Sequence, residues 1–174
     1  RIIAALEALV PEAAPPGAEN FQPRPEGGWK PRWSRELGGA EIGDLDARGG
    51  IVLVGTSAGN IVQLGAEQGE MSWEHHLGAD GVASALLLAD IDGDDRAEAL
   101  VGTDEGRLAV LEAHSGAQRW CRALKSSGWG SRISGLAVAD LQGSGRTSIL
   151  AATVGWYVNA FAADATLEWA EWVR

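Results

Sequence analysis

The residues of this sequence best suited to chemistry are the carboxylates of one short acidic stretch. Aspartates alternate at Asp90, Asp92 and Asp94, and Arg96 and Glu98 continue the same spacing. A hard cation such as Ca²⁺ takes about six to eight oxygen ligands, and alternate residues of a tight loop can turn their oxygens inward. The aspartates and Glu98 would supply carboxylates, and Arg96 its backbone carbonyl. The stretch therefore predicts one calcium site.

The same pattern also suits an aspartate-rich turn, in which the side chains accept hydrogen bonds from their own backbone amides. Corresponding stretches offer fewer acids, since Asp140 is followed by Gln142 and Ser144, and Asp44 only by Asp46. We expect calcium in one unit only, where it would stiffen a hairpin and take no part in catalysis. Its dissociation constant would be roughly 10⁻⁴–10⁻³ M, as in extracellular modules.

The elements around the acidic stretch repeat along the chain. A strand that begins with tryptophan recurs about every 40 to 50 residues, and apolar runs that end in glycine, aspartate or serine precede it. The four tryptophan strands are Trp33–Leu37, Trp73–Leu77, Trp120–Leu124 and Trp169–Val173. No stretch after residue 30 places apolar residues at helical spacing. A repeat of this length is typical of propellers and solenoids, because one unit cannot bury its apolar face alone.

We therefore predict an all-β fold, a partial β-propeller of about three four-stranded antiparallel blades. The blades are expected at residues 38–77, 82–124 and 133–173, within a propeller region that spans 32–174. Propellers usually have about four to eight blades, so the predicted partners include further blades, from a longer chain or from other copies. The start at Arg1, which is not a methionine, favours a fragment of a longer protein.

Residues 1–31 differ in kind from the rest of the chain. Apolar residues from Ile2 to Val10 follow helical spacing, and Pro11 ends the run. All six prolines lie between Pro11 and Pro31. This composition predicts a short N-terminal helix followed by a Pro-rich linker, or by a strap that lies across a surface.

Two known repeats share these motifs. The stretch from Asp90 to Glu98, followed by Leu-Val-Gly-Thr103, resembles the FG-GAP/VCBS repeat of integrin-type propellers. The later segment that ends at Trp120 is similar to the quinoprotein-type repeat, in which a tryptophan strand closes each blade. The resemblance covers roughly residues 32–173, and it implies a calcium-binding hairpin loop, with Asp95 where the family usually has glycine. It also implies an extracellular or periplasmic location.

The aromatic residues suggest a second site. The chain has eight tryptophans against one tyrosine and two phenylalanines, and the four repeat positions are expected to pack between blades. Trp129 and Trp156 each follow a glycine in connections that lie on the same face of a propeller. We expect them to be neighbours on one rim, with Tyr157, beside Asp104 and Glu105. Exposed aromatic rings near carboxylates and amides suit a sugar ring or a partner protein.

Composition and charge exclude several functions. The formal net charge of −10 disfavours nucleic acid and anionic membrane surfaces. No apolar stretch is long enough to span a bilayer. Cys121 is the single cysteine, so no disulfide framework exists. His75 and His76 are adjacent on a predicted strand, so their side chains point to opposite faces and cannot form one metal site unaided.

These observations favour a non-catalytic module of a propeller, which binds a protein or a glycan or serves as a scaffold and is stabilised by calcium. The alternative is the propeller portion of a larger enzyme, similar to a polysaccharide lyase or a quinoprotein, whose catalytic residues lie outside this chain. Histidine, arginine or lysine at the start of each first strand would favour the enzyme. The predicted first strands begin at Ser84 and Ile133, which favours binding.

Overall fold

The computed structural model describes residues 31–173 of the 174-residue chain. The predicted N-terminal helix, and the linker up to residue 30, lie outside the described residues. Within residues 31–173 the one helical element is a 3₁₀ turn at Gly78–Asp80. No helix in this range has the length and apolar character needed to cross a bilayer.

The described residues form three four-stranded antiparallel sheets, here called blades one to three, in which the strands follow one another in chain order. Blade one contains β1 (Ile42–Arg48), β2 (Ile51–Thr56), β3 (Asn60–Gly65) and β4 (Met71–His76). Blade two contains β5 (Ala83–Ala89), β6 (Glu98–Thr103), β7 (Arg107–Glu112) and β8 (Gln118–Ala123). Blade three contains β9 (Ile133–Ala139), β10 (Ser148–Thr153), β11 (Tyr157–Ala162) and β12 (Leu167–Trp172). The predicted all-β partial propeller of three four-stranded blades is confirmed.

The core lies between the blades, because each sheet has apolar residues on both faces. The first strands β1, β5 and β9 lie side by side. Leu88 and Val101 face blade one, whereas Leu100 and Val110 face blade three, and all four are buried. The sheets approach closely, since a Cβ atom on Gly102 would lie 2.6 Å from Cγ2 of Ile133. Glycine at this position therefore lets blade three pack against blade two.

One contact recurs at each of the three junctions. The tryptophan of the strand that precedes a blade donates its indole N–H to an alanine carbonyl in the turn between the third and fourth strands of that blade. These bonds, each 2.9 Å long, join Trp33 to Ala66, Trp73 to Ala113 and Trp120 to Ala163. We call this repeated contact the tryptophan lock.

The turns that receive the lock are shaped for an indole ring. Gly116 has a φ of 71°, and a Cβ atom there would lie 2.7 Å from Cδ2 of Trp73. Gly69 also has a positive φ, and a Cβ atom there would collide with the ring of Trp33. Glycine thus supplies both the left-handed backbone and the space for the ring. In blade three the turn is one residue shorter, and Ala165 takes the left-handed position with a φ of 71°.

Trp33 and Trp169 mark the two ends of the described repeat. Trp33 and Leu37 pack on the face of blade one that points away from blade two, against Val54, Val62 and Leu64. The structure assigns no strand to residues 33–37, which were predicted as one, because no third strand of a preceding blade pairs with them within residues 31–173. They occupy the place that the fourth strand of a preceding blade would take. Trp169 is the fourth tryptophan of the series and is 38% exposed. Within residues 31–173 no carbonyl accepts a hydrogen bond from its indole.

The carboxylates of Asp44 and Asp46 connect the innermost strands of blades one and two. Asp44 Oδ2 accepts a hydrogen bond from the backbone N–H of Leu86 at 2.7 Å. Asp46 Oδ2 accepts one from the N–H of Leu88, also at 2.7 Å. These donors lie along β5, whose other edge pairs with β6. The two aspartates therefore satisfy backbone donors that no strand pairs with.

The sequence alignment of Asp44 with Asp90 was wrong. Asp44 lies inside β1, opposite Gly55 on β2, whereas Asp90 follows the end of β5. Arg48 is the last residue of β1 that pairs with β2, so Gly49 stands at the place of Asp90. The reason is that blade one joins its first two strands by a short turn at Gly49 and Gly50, which leaves no loop for the acids to occupy.

Candidate functional site

The acidic loop of blade two is organised around Asp90. Asp90 Oδ1 accepts a hydrogen bond from the N–H of Gly93 at 2.7 Å, and Oδ2 accepts one from the N–H of Asp95 at 2.9 Å. The bond from Gly93 is the main cause that holds the pKa of Asp90 below its ordinary value, because it stabilises the charged form. Asp95 takes the left-handed backbone with a φ of 67°. The side chain thus caps its own loop.

Asp140 makes the same arrangement in blade three, where Gln142, Ser144 and Ser148 stand at the places of Asp92, Asp94 and Glu98. Its Oδ2 accepts a hydrogen bond from the N–H of Gly145 at 2.6 Å, and Oδ1 accepts one from the N–H of Gln142 at 3.1 Å. The bond from Gly145 is the main cause of a lowered pKa of Asp140. The capping turn therefore forms without carboxylates at the places of Asp92 and Asp94. This geometry supports the aspartate-rich turn considered from the sequence.

Arg119, on β8, contacts three further acids of blade two. Its Nη2 lies 2.8 Å from Asp92 Oδ2, its Nη1 3.1 Å from Glu98 Oε1, and its Nε 3.4 Å from Glu112 Oε1. Glu98 is only 1% exposed, and its Oε2 accepts a hydrogen bond from the N–H of Ile91. Burial raises the pKa of Glu98 above its ordinary value, against the effect of that bond. Arg119 therefore partly neutralises an acidic cluster in which Glu98 is buried.

Three of the five predicted calcium ligands converge in this loop. Carboxylate oxygens of Asp90, Asp92 and Glu98 all lie within 4.8 Å of one another. Asp94 instead accepts a hydrogen bond from the N–H of Arg96 at 2.8 Å, so these two residues form a turn of their own. Because Arg119 binds Asp92 and Glu98, the described geometry fits a calcium ion only after that guanidinium moves. Calcium binding at this loop stays a prediction.

We expect Arg119→Gln to increase the effect of calcium on the melting temperature. In the native chain the guanidinium competes for the same oxygens, whereas the variant leaves three carboxylates for a cation to bind at roughly 10⁻⁴–10⁻³ M. Melting is measured with millimolar calcium and with a chelator. Adding Asp92→Asn to Arg119→Gln is the control and should abolish the shift. An equal calcium shift in the native chain and in Arg119→Gln would contradict competition by the arginine.

Trp129 and Trp156 form an exposed aromatic pair, here called the aromatic platform. Their ring centroids are 6.1 Å apart, and the ring planes differ by 26°. Trp129 is 78% exposed and Trp156 is 53% exposed. The sequence predicted them as neighbours on one rim, and the structure brings them together. Tyr157 follows on β11 and is half-buried. Their use in binding stays a prediction.

Trp156 stands where the other two blades have glycine. It has a φ of 63°, and the equivalent residues in the turns between second and third strands are Gly59, with a φ of 80°, and Gly106, with a φ of 73°. The three turns are equivalent, because each begins with a threonine whose hydroxyl accepts a hydrogen bond from the backbone N–H of the residue that follows the turn. A non-glycine residue in this backbone region costs about 1–2 kcal/mol. Blade three thus carries an exposed indole on a strained backbone position, where stability alone favours glycine.

We expect Trp156→Gly to be more stable than Trp156→Ala, by about 1 kcal/mol. Both variants lose the contact with Trp129, but only glycine relieves the left-handed backbone. Urea denaturation of the two variants measures the difference. The matched control is Ala170, on a regular strand, where glycine should be less stable than alanine by about 0.5–1 kcal/mol. Alanine more stable than glycine at both positions would show that Trp156 is not strained.

The predicted polar neighbours of the aromatic platform are already engaged elsewhere. Asp104 Oδ1 accepts a hydrogen bond from the N–H of Val82 at 2.7 Å, and Asp104 and Glu105 both lie against Gly81, in the link from blade one to blade two. No described contact joins either acid to the aromatic platform. Asn159 is fully buried, and its amide bonds the backbone N–H and carbonyl of Lys125 at 2.9 and 3.1 Å.

Sequence reasoning missed three residues beside the aromatic platform. Val154 is 40% exposed, and its N–H donates to the carbonyl of Arg132 at 2.9 Å. Lys125 and Arg132 are exposed, and both belong to the link that carries Trp129. One signal in the sequence pointed to these two cations. Residues 122–139 contain no Asp or Glu, although the chain as a whole has a net charge of −10.

Comparison with known proteins identifies the repeat. The family model described as outer membrane protein assembly factor BamB matches residues 27–168. This match agrees in part with the quinoprotein-type repeat inferred from the tryptophan strands. The resemblance to FG-GAP/VCBS repeats stays a prediction. Among curated proteins, no sequence matches the chain.

Solved structures show the same fold. BamB from Moraxella catarrhalis has a TM-score of 0.61 and 21% identity, over 82% of this chain and 40% of that chain. The computationally designed Ika4 protein has a TM-score of 0.60 and 17% identity, over 84% and 78% of the two chains. The WD40 repeats of RRP9 have a TM-score of 0.64 and 12% identity, over 79% and 40%. The chain therefore spans about two fifths of the BamB structure, and these likenesses establish the fold alone.

Proposed function

The chain belongs to the family described as outer membrane protein assembly factor BamB, and from this membership we propose a non-catalytic propeller scaffold that binds a protein partner through one rim. The observation that carries the proposal is the aromatic platform. Large, exposed indole rings that pack on each other suit the centre of a protein interface, where tryptophan is enriched among the residues that contribute most binding energy. Trp156 keeps its place there despite its strained backbone.

A protein partner fits the aromatic platform better than a glycan does. Binding of a sugar usually combines ring stacking with hydrogen bonds to hydroxyl groups, which need free carboxylates or amides. Asp104 and Asn159 already hold backbone groups, and the two indoles stack on each other, which leaves the outer face of Trp129 for contact. An apolar side chain of a partner can cover that face without further polar groups.

The family description adds the setting. It names assembly of outer membrane proteins, and we propose that this chain holds its partner within an assembly complex of that kind. The rest of the propeller would supply further contacts, because this chain corresponds to about two fifths of the BamB structure.

The face of blade three that no other part of residues 31–173 covers is proposed to receive a further blade. Leu150 and Val158 are half-buried there, and the indole N–H of Trp169 has the position of the three donors that form tryptophan locks. A second copy would have to offer Ala66, but Trp33 already binds that carbonyl. Light scattering tests this: a monomer at all concentrations agrees with a further blade, and a dimer would assign the face to a second copy.

The binding proposal is tested with a displayed library of random peptides. We expect peptides that bind the native chain and fail to bind a Trp129→Ala/Trp156→Gly variant, since glycine keeps the turn folded without the ring. Exposed Leu45, on the innermost strand of blade one, provides the control substitution Leu45→Ala, which should leave binding unchanged. If every recovered peptide bound the platform variant as well as the native chain, the proposal would be wrong.

A further inference from the structure

The aromatic platform lies in a part of the chain that carries cations and no acids. Residues 122–139 contain Arg122, Lys125 and Arg132 and no aspartate or glutamate, and residues 154–163 contain no charged residue. Elsewhere acids predominate, since the chain has 24 acidic and 14 basic residues. We propose that the aromatic platform takes an extended acidic segment of a partner protein, with an apolar side chain on Trp129. This inference rests on the proposed function.

Hydrogen bonds to blade three hold the backbone of Lys125 and of Arg132 in place. The N–H and carbonyl of Lys125 bond the buried amide of Asn159, three residues after Trp156. The carbonyl of Arg132 accepts a hydrogen bond from the N–H of Val154, two residues before Trp156. Lys125 and Arg132 are thus tied to blade three on either side of Trp156 in the chain, so their side chains leave from ordered backbone.

Lys125 and Arg132 are available to a partner. Both side chains are exposed. The ion pairs within residues 31–173 involve other basic residues, namely Arg107, His114 and Arg119. A carboxylate brought to either cation therefore forms a new pair without breaking an existing one. Charges at the rim of an interface set the choice of partner and the rate of association, whereas an apolar centre supplies most of the affinity.

The negative charge of the remaining surface would also direct an acidic segment to the aromatic platform. An acidic peptide is repelled by the chain as a whole, which has a net charge of −10, and such repulsion is long-ranged at low salt. Two unpaired cations on the connection that carries Trp129 oppose that repulsion locally, where the neighbouring acid is Glu171, opposite Val158 on β12. The acidic composition of the chain thus increases the discrimination between this rim and the remaining surface.

Two fluorescein-labelled peptides test the inference, one alternating leucine with glutamate and one alternating leucine with glutamine. We expect the glutamate peptide to bind about tenfold more tightly at low salt, because each of two rim ion pairs contributes about threefold to the affinity. The preference should disappear in Lys125→Gln/Arg132→Gln and should decrease as salt rises. Arg146, on the loop of blade three that Asp140 caps, provides the control substitution Arg146→Gln, which should keep the preference. Anisotropy gives the affinities, and circular dichroism checks the fold.

The outcomes separate this inference from the proposed function. If both peptides bind equally and both are lost in Trp129→Ala, the protein-binding rim stands and the acidic partner is wrong. If Trp129→Ala affects neither peptide, both proposals are wrong. Failure of the glutamate peptide to bind also overturns the inference. Polygalacturonate serves as an acidic polysaccharide probe, and tighter binding of it through the same cations would assign the rim to a glycan.

Discussion

Trp120→Ala should lower the free energy of unfolding by about 3 kcal/mol, near the lower end of the range for buried aromatic residues because this indole is half-buried. The substitution removes the packing on Phe161, whose ring centroid is 6.2 Å away, and the hydrogen bond to the carbonyl of Ala163. Both contacts join blade two to blade three. Urea denaturation followed by circular dichroism measures the loss.

Two substitutions divide this effect into its parts. Trp120→Phe keeps a ring and removes the N–H donor, so it should cost about 1 kcal/mol for the hydrogen bond together with the smaller ring area. Trp129→Ala removes the same side chain from an exposed position and should cost at most about 1.5 kcal/mol, the value of an aromatic pair. Similar losses for Trp120→Ala and Trp129→Ala would show that the tryptophan lock does not stabilise the junction.

The double substitution Asp44→Ala/Asp46→Ala should lower the free energy of unfolding by about 2–4 kcal/mol. Each change leaves one backbone N–H of β5, that of Leu86 or of Leu88, without its acceptor, and Leu88 is almost fully buried. Leaving a buried donor unsatisfied costs about 1–3 kcal/mol. Differential scanning calorimetry measures the change as a lower melting temperature.

The asparagine variants at the same positions are the matched control. Asp44→Asn/Asp46→Asn keeps an oxygen that can accept each hydrogen bond from β5, and it removes the charge and the bond that Oδ1 of each aspartate accepts from the next residue. Its loss should still be clearly smaller than that of the alanine variant, which removes the acceptors of β5 as well. Equal losses would indicate that the charge of the carboxylates, and not the satisfied donor, stabilises the contact between β1 and β5.

The sequence predicted the blades because strands of this kind carry a strong local pattern. A run such as Leu100 to Thr103, ended by a turn, is apolar on both faces, as a sheet between two others must be. The repeated tryptophan predicted the outer strands, since a large ring next to glycine-bearing turns recurs with the period of the blade. The pairing of Trp129 with Trp156 followed from topology, because connections on the same face of a propeller meet.

The sequence could not predict contacts that depend on register. Asp44 and Asp46 resemble loop acids in the sequence, and only the pairing of β1 with β2 shows that they lie within a strand and reach β5. Arg119 lies far along the chain from Asp92, and its contact with the acidic loop requires β6, β7 and β8 to be in register. The strain at Trp156 was also hidden, because the order of Gly155 and Trp156 differs from that in the other turns.

The tryptophan lock gives the repeat a polarity. Every indole donor lies in the segment that precedes a blade, and every carbonyl acceptor belongs to the blade that follows. Shortening the chain from its first blade exposes an apolar sheet face and carbonyls that water can readily satisfy. Shortening it from the other side exposes an apolar sheet face and, in addition, an indole ring. Propellers of this type are therefore more tolerant of losing blades at one end than at the other, and circular permutation would shift which end is the sensitive one.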